Sequence, residues 1–196
     1  MKIVTLMYDH GAESPADFDG TWTLHSFNRR HKSYAGPDQF FPDGKPTIGL
    51  RRKLDVGLAF VLSYFEHGPC RWSRHGTGPQ CQWDNVDVAG VLIWEHAPKD
   101  MGAKSYADRA KDADQFLDTY TAWANGEVYG YAVSEVVTLP CGHTETRDLD
   151  SCFGYFGNDL EYMASLIRES INGDLEIEFR GEARDLGPYL NLEKGA

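Results

Sequence analysis

Cys81-Gln-Trp-Asp-Asn-Val-Asp-Val-Ala-Gly-Val-Leu-Ile-Trp94 decides how this chain is built. A thiol, an indole and two carboxylates lead into a run that is apolar on both sides of the alternation, the pattern of a strand with both faces covered. Residues 86–95 are therefore expected to be a core strand, with polar chemistry at its mouth.

Working outward, residues 2–8 and 21–27 alternate as strands around a loop at 11–20. Residues 33–49 carry Gly36, Pro37, Pro42, Gly44, Pro46 and Gly49 and read as one long irregular stretch. Residues 54–65, rich in β-branched and aromatic side chains, read as a buried strand, and 68–80 as a loop. Downstream, Tyr106, Ala110, Ala113, Leu117, Tyr120 and Ala124 recur at spacings of three and four, which predicts a helix over 104–124 ended by Asn125-Gly126. Residues 127–139 and 145–156 form a hairpin about Pro140-Cys141-Gly142-His143. Asn158 with Glu161 has capping-box spacing, and Leu160, Met163, Ala164, Ile167 and Ile171 make one apolar face. This predicts a second helix over 159–172, stopped by Asn172-Gly173. Leu175 to Phe179 alternates as a last strand. The sum is an α+β fold with a mostly antiparallel sheet and two main helices, a single domain over 1–187 and a loose C-terminal tail over 188–196.

No stretch approaches the ~20 apolar residues of a membrane span, so no membrane partner is expected. The N-terminus lacks the marks of a secretory signal, so a cytosolic protein is expected. The net charge of −11 disfavours binding to nucleic-acid phosphates. Charge is uneven, however: residues 29–75 hold nine Lys and Arg against four acids. Arg29, Arg30, Lys32, Arg51, Arg52, Lys53, Arg71 and Arg74 form either an ordinary solvated surface or a basic face. Four cysteines, Cys70, Cys81, Cys141 and Cys152, are too few for a disulfide scaffold of this size.

Several constellations could carry chemistry. His67, Cys81, Asp84 and Cys152 all lie at strand ends or turns. If they converge, a thiol nucleophile with its base and an orienting carboxylate is one reading. Zinc held by His67, Cys81 and Cys152 with the carboxylate is another, and thiols that only pack are the third. No cofactor is expected, with zinc as the alternative. Trp83-Asp84-Asn85 reads either as a pocket lip, with an indole to stack and polar groups to bond, or as an ordinary turn capping the core edge. Arg29 and Arg30, with His31, Arg71 and Arg74, could clasp a phosphate, and Trp22, Trp72 and Tyr34 could stack on a base. Pairing of these arginines with the chain's many acids is the competing reading.

The ordered set of motifs resembles a family of small, largely uncharacterised proteins of tailed bacteriophages and prophages. The motifs are Glu13-Ser14-Pro15-Ala16-Asp17-Phe18-Asp19, Phe27-Asn28-Arg29-Arg30, Tyr64-Phe65-Glu66-His67-Gly68, Cys81-Gln82-Trp83-Asp84, Gly126-Glu127-Val128-Tyr129-Gly130-Tyr131 and Asp150-Ser151-Cys152-Phe153-Gly154. Here Asn85-Val86 stands where the family pattern usually continues Ser-Gly. The resemblance implies a phage accessory protein in the host-cell cytoplasm and brings no reaction with it. The expected function is non-enzymatic binding of a host or defence-system component. The alternatives are a small cysteine/histidine enzyme or zinc protein, a sponge for a small phosphorylated ligand, and an acidic DNA mimic.

Overall fold

The apolar run after the Trp83 turn is a strand paired on both sides within a four-stranded sheet. The computed structural model describes residues 1–79, 81, 83–171, 176–190 and 192. The fold is α+β with mostly antiparallel strands, and these form two four-stranded sheets. The chain divides into two compact units, residues 13–125 and residues 1–12 with 126–196, where the sequence reading treats 1–187 as a single domain.

The first of these, the insert unit, holds β2 (Thr23–Ser26), α1 (Ile48–Asp55), β3 (Ala59–Glu66), β4 (Cys70–Arg74), β5 (Asn85–Ile93) and α2 (Tyr106–Ala124). Its sheet runs β2-β5-β3-β4 with every pair antiparallel. Helix α2 starts in a capping box: the Ser105 hydroxyl accepts from the Asp108 amide, and the Asp108 carboxylate accepts from Ser105. Its stripe of Ala110, Ala113, Phe116, Leu117 and Tyr120 packs against Leu24, Phe60, Leu62, Trp72 and Leu92. Since side chains alternate along a strand, Ala59, Val91 and Ile93 face the other way, onto Leu50 of α1 and the rings of Phe27, Phe40 and Phe41.

Two expectations change here. Residues 48–55 are helical: Thr47 caps the helix by accepting from the Leu50 amide at 3.2 Å, and the strand expected at 54–65 begins only at Ala59, past Gly57 at φ +72°. The expected loop at 68–80 contains β4, an edge strand that buries little but Trp72.

The second, or hairpin, unit holds β1 (Lys2–Tyr8), β6 (Val128–Thr138), β7 (Thr144–Phe156), α3 (Leu160–Ile171) and β8 (Ile177–Arg180), in sheet order β7-β6-β1-β8. Only the β1–β8 pair is parallel. Met163, Ala164, Ile167 and Ile171 of α3 pack with Val4, Leu6, Tyr131 and Val133. The helix is entered through a 3-10 turn over Gly157–Asp159, and Glu161 reaches forward to Arg168 at 3.1 Å. The expected stop at Asn172-Gly173 and the start of the last strand at Leu175 lie outside the described residues. Within the expected loose tail, Leu190 and Leu192 are buried in this unit's core. No helix among the described residues is long and apolar enough to cross a membrane.

Candidate functional site

One pocket of about 210 Å³ in the insert unit is lined by Asn28 and His31, on either side of the Arg29-Arg30 pair, and by Val86 and Val88, just past the Trp83-Asp84-Asn85 segment; Trp83, Asp84 and Asn85 themselves are not among its lining residues. Tyr64 of β3 and Trp72 of β4 line it, tilted against each other at 4.7 Å between ring centroids. Val86, Val88 and Ala89 of β5 form a second wall, and Ser26 to His31 a third.

That third wall is a self-bonded turn. The Ser26 hydroxyl oxygen accepts from the Asn28 amide at 3.1 Å. The Asn28 carbonyl oxygen Oδ1 accepts from the Arg30 amide at 3.0 Å. The strand re-registers through Ala35 N–H to the Ser26 carbonyl at 2.8 Å and Ser26 N–H to the Ser33 carbonyl at 2.9 Å. His31 then bonds twice, Nδ1 to the Ser26 hydroxyl at 2.8 Å and Nε2 to the Asn28 amide nitrogen at 3.4 Å.

These contacts decide the imidazole's tautomer. With Oδ1 of Asn28 taken by Arg30, its Nδ2 faces His31, and that nitrogen can only donate. Nε2 of His31 must therefore accept, and Nδ1 carries the hydrogen and donates to Ser26. A second proton on the ring would set donor against donor at Nε2. Burial pushes the His31 pKa below its usual value, against a smaller opposing pull from the Glu66 carboxylate. The ring meets Tyr64 and Trp72 edge-on, at 5.2 and 5.6 Å. The Tyr64 hydroxyl is pushed well above the usual tyrosine range, by burial first and then by Cys70 and Glu66. Neutral groups thus line the pocket.

At the tip of the turn Arg29 and Arg30 are exposed. The other arginines of the imagined clasp are committed elsewhere. Arg74 forks onto Asp114 of α2 at 2.6 and 2.8 Å, and Arg71 pairs with Asp118 at 3.6 Å. Of the proposed stacking residues, Trp22 is buried with Nε1 donating to Asp112 at 2.8 Å, Trp72 lines the pocket, and Tyr34 is exposed.

His67, Cys81 and Asp84 do come together, but with the carboxylate in the middle. His67 Nδ1 lies 3.1 Å from Asp84 Oδ2, and the Cys81 thiol donates to the same oxygen at 3.5 Å. The imidazole is not set to take the thiol proton, which is what a thiol nucleophile requires. His67 is largely exposed, so no closed cleft surrounds it. Cys152, the fourth candidate, stands in the hairpin unit, exposed on β7 opposite Tyr131. Among the described residues no three His, Cys, Asp or Glu side chains are arranged to hold a metal ion.

Trp83 is 86% exposed, and Val86 and Val88 are 53% and 50% exposed. Asn85 donates to Asp87 at 2.6 Å, so it braces the strand start instead of facing outward unpaired. The pocket's rings, His31, Tyr64 and Trp72, come from three separate segments, and only Ser26-Phe27-Asn28, a hydroxyl two residues before an amide, signals the turn locally. No family model matches the chain, and neither the curated proteins nor the solved structures give a match.

Proposed function

We propose that the protein works by binding, without catalysis, and that its partner is a host or defence-system component met in the cytoplasm of an infected bacterium. One observation carries this reading: three large apolar side chains, Trp83, Val86 and Val88, stand half or more exposed within six residues at the entry to a core strand. Single exposed apolar residues are ordinary, whereas a cluster marks an interaction surface. Tryptophan is the residue type that most often anchors such contacts. The phage setting rests on the family resemblance of the motifs. The cysteine-enzyme reading is the weaker one, because the Cys81 hydrogen is directed at Asp84.

A second reading is favoured by the pocket itself. At about 210 Å³ it is smaller than the ~300–1,000 Å³ of sites for drug-sized ligands. It suits a single planar ring, with Arg29 and Arg30 at its rim for a phosphate.

The test is retention of partners by immobilised protein from a bacterial host lysate. A protein held by the wild type and by Cys81→Ser, but released by Trp83→Ala and by Val88→Asp, supports the edge as the binding surface. If both edge variants keep every partner, the reading is wrong. Mass spectrometry of small molecules carried by the purified protein, compared with Arg29→Ala/Arg30→Ala, addresses the second reading.

A further inference from the structure

The insert unit has a second and larger cavity, of about 410 Å³, away from the Trp83 edge and built from different residues. It lies beside α2, where Gln115, Phe116 and Thr119 stand three, four and seven residues beyond Asp112 and so share one face of the helix. Across from them stand Trp22 and Trp94, packed edge to face at 5.6 Å. Phe18, 44% exposed, also lines the cavity.

The charges of this lining have one sign. Asp100 and Asp112 contribute carboxylates, and among the described residues no lysine, arginine or histidine lines the cavity. Asp112 is also held in place: Trp22 Nε1 donates to its Oδ2 at 2.8 Å. Among the described residues its other oxygen makes no bond within the protein. A half-buried carboxylate fixed by an indole, with a free oxygen beside aromatic rings, is a receptor for positive charge. The carboxylate supplies ion pairing, and the half-exposed ring of Phe18 supplies cation–π attraction. The volume falls in the range of small-molecule sites, and the rings with Met101 offer an apolar body more surface than a bare metal ion could use.

We propose that this cavity binds an organic cation, a protonated amine carried on an apolar or aromatic body. The inference is independent of the binding edge at Trp83. Its test uses three probes of one shape and different charge: phenethylamine, 2-phenylethanol and 3-phenylpropionate. Each is titrated into the full-length protein and followed through the tryptophan indole N–H resonances. The amine shifts the Trp22 and Trp94 signals and binds about tenfold or more tighter than the alcohol, and the carboxylate binds more weakly than both. Asp112→Asn, which keeps an acceptor for Trp22, brings the amine down to the alcohol's affinity. Should that variant fail to fold, Asp100→Asn, in the loop ahead of α2, narrows the gap between amine and alcohol. Equal binding of the three probes, preference for the carboxylate, no shift of the Trp22 and Trp94 signals at millimolar amine, or an unchanged gap in the folded variants each overturns the proposal.

Discussion

His31 is held by bonds that suit only its neutral form, and that makes folding sensitive to pH. Its folded pKa lies below the usual 6.5, so in the window beneath that value the unfolded chain takes up a proton that the folded chain refuses. The contribution of this residue is complete above the ordinary value and is lost as pH falls through the window, levelling off once the folded ring titrates too. Urea unfolding at stepped pH is expected to show this slope in the wild type and a flatter one in His31→Gln. An identical slope in both proteins would remove His31 from the account. Two glycines give a sharper contrast. A Cβ on Gly90 would sit 2.3 Å from the His25 carbonyl oxygen, part of the β2–β5 ladder, whereas a Cβ on Gly130 would meet only the ring of Phe153, at 2.1 Å. Backbone in a paired strand cannot step aside, but a half-exposed ring can turn. Gly90→Ala is expected to cost about 2 kcal/mol or more and Gly130→Ala about half of that, read from denaturant midpoints.

At the scale of elements, β4 shows how an edge strand is closed without another strand. Asn125, at the end of α2, clamps Cys70 twice, accepting its N–H at 2.8 Å and donating to its carbonyl at 3.0 Å. Thr121 accepts the Trp72 N–H at 3.1 Å. The helix end thereby occupies backbone groups that would otherwise be open to a foreign strand. Asn125→Ala is expected to lose about 1–3 kcal/mol and to speed hydrogen exchange at the Cys70 amide, with exchange at β3 less affected. This same element explains what could be read from the residues alone. The strand β5, the helices α2 and α3 and the β6–β7 hairpin were foreseen because each carries enough apolar side chains at one period to display it. By contrast α1, with its Arg51-Arg52-Lys53 run, buries only Leu50, and its one clear signal is the cap at Thr47. In β4 the pairing belongs to β3 and α2, and five residues around one buried tryptophan have no period to show. The site divides in the same way. The Asp-Asn turn chemistry at 84–85 is local and is read from the residues, whereas the equally local turn at Ser26-Phe27-Asn28 is not among the sequence expectations. That His67 meets the Asp84 carboxylate already bonded by Cys81, and not the thiol itself, depends on how the ends of β3 and β5 meet, which no spacing encodes.

For the whole molecule, the decisive fact is that residues 13–125 interrupt a pair of neighbouring strands. β1 and β6 are antiparallel partners from Lys2–Glu135 to Tyr8–Tyr129, and just beyond that pair Asp9 donates to the Val128 carbonyl at 2.8 Å. Each unit has its own core. Joining Asp9 to Val128 through a short glycine-containing turn is therefore expected to leave a hairpin unit that unfolds cooperatively, and residues 13–125 alone are expected to keep the α2 helix. Circular dichroism with thermal melting checks both, and a chain without a melting transition in either case would show that the unit in question is not autonomous.

The interruption also sets an order of events during synthesis. The ribosome delivers β1 before the insert, and its partners β6 and β8 come after it. Closing β1 onto β6 across an unfolded insert costs about 3 kcal/mol more than closing a short turn. An insert that folds first removes most of that cost. Until then the nascent chain carries an unpaired seven-residue strand, with Ile3, Val4 and Leu6 uncovered. A chain stalled after Asn125 would release a finished insert still bearing that unpaired apolar strand, open to pairing with another chain.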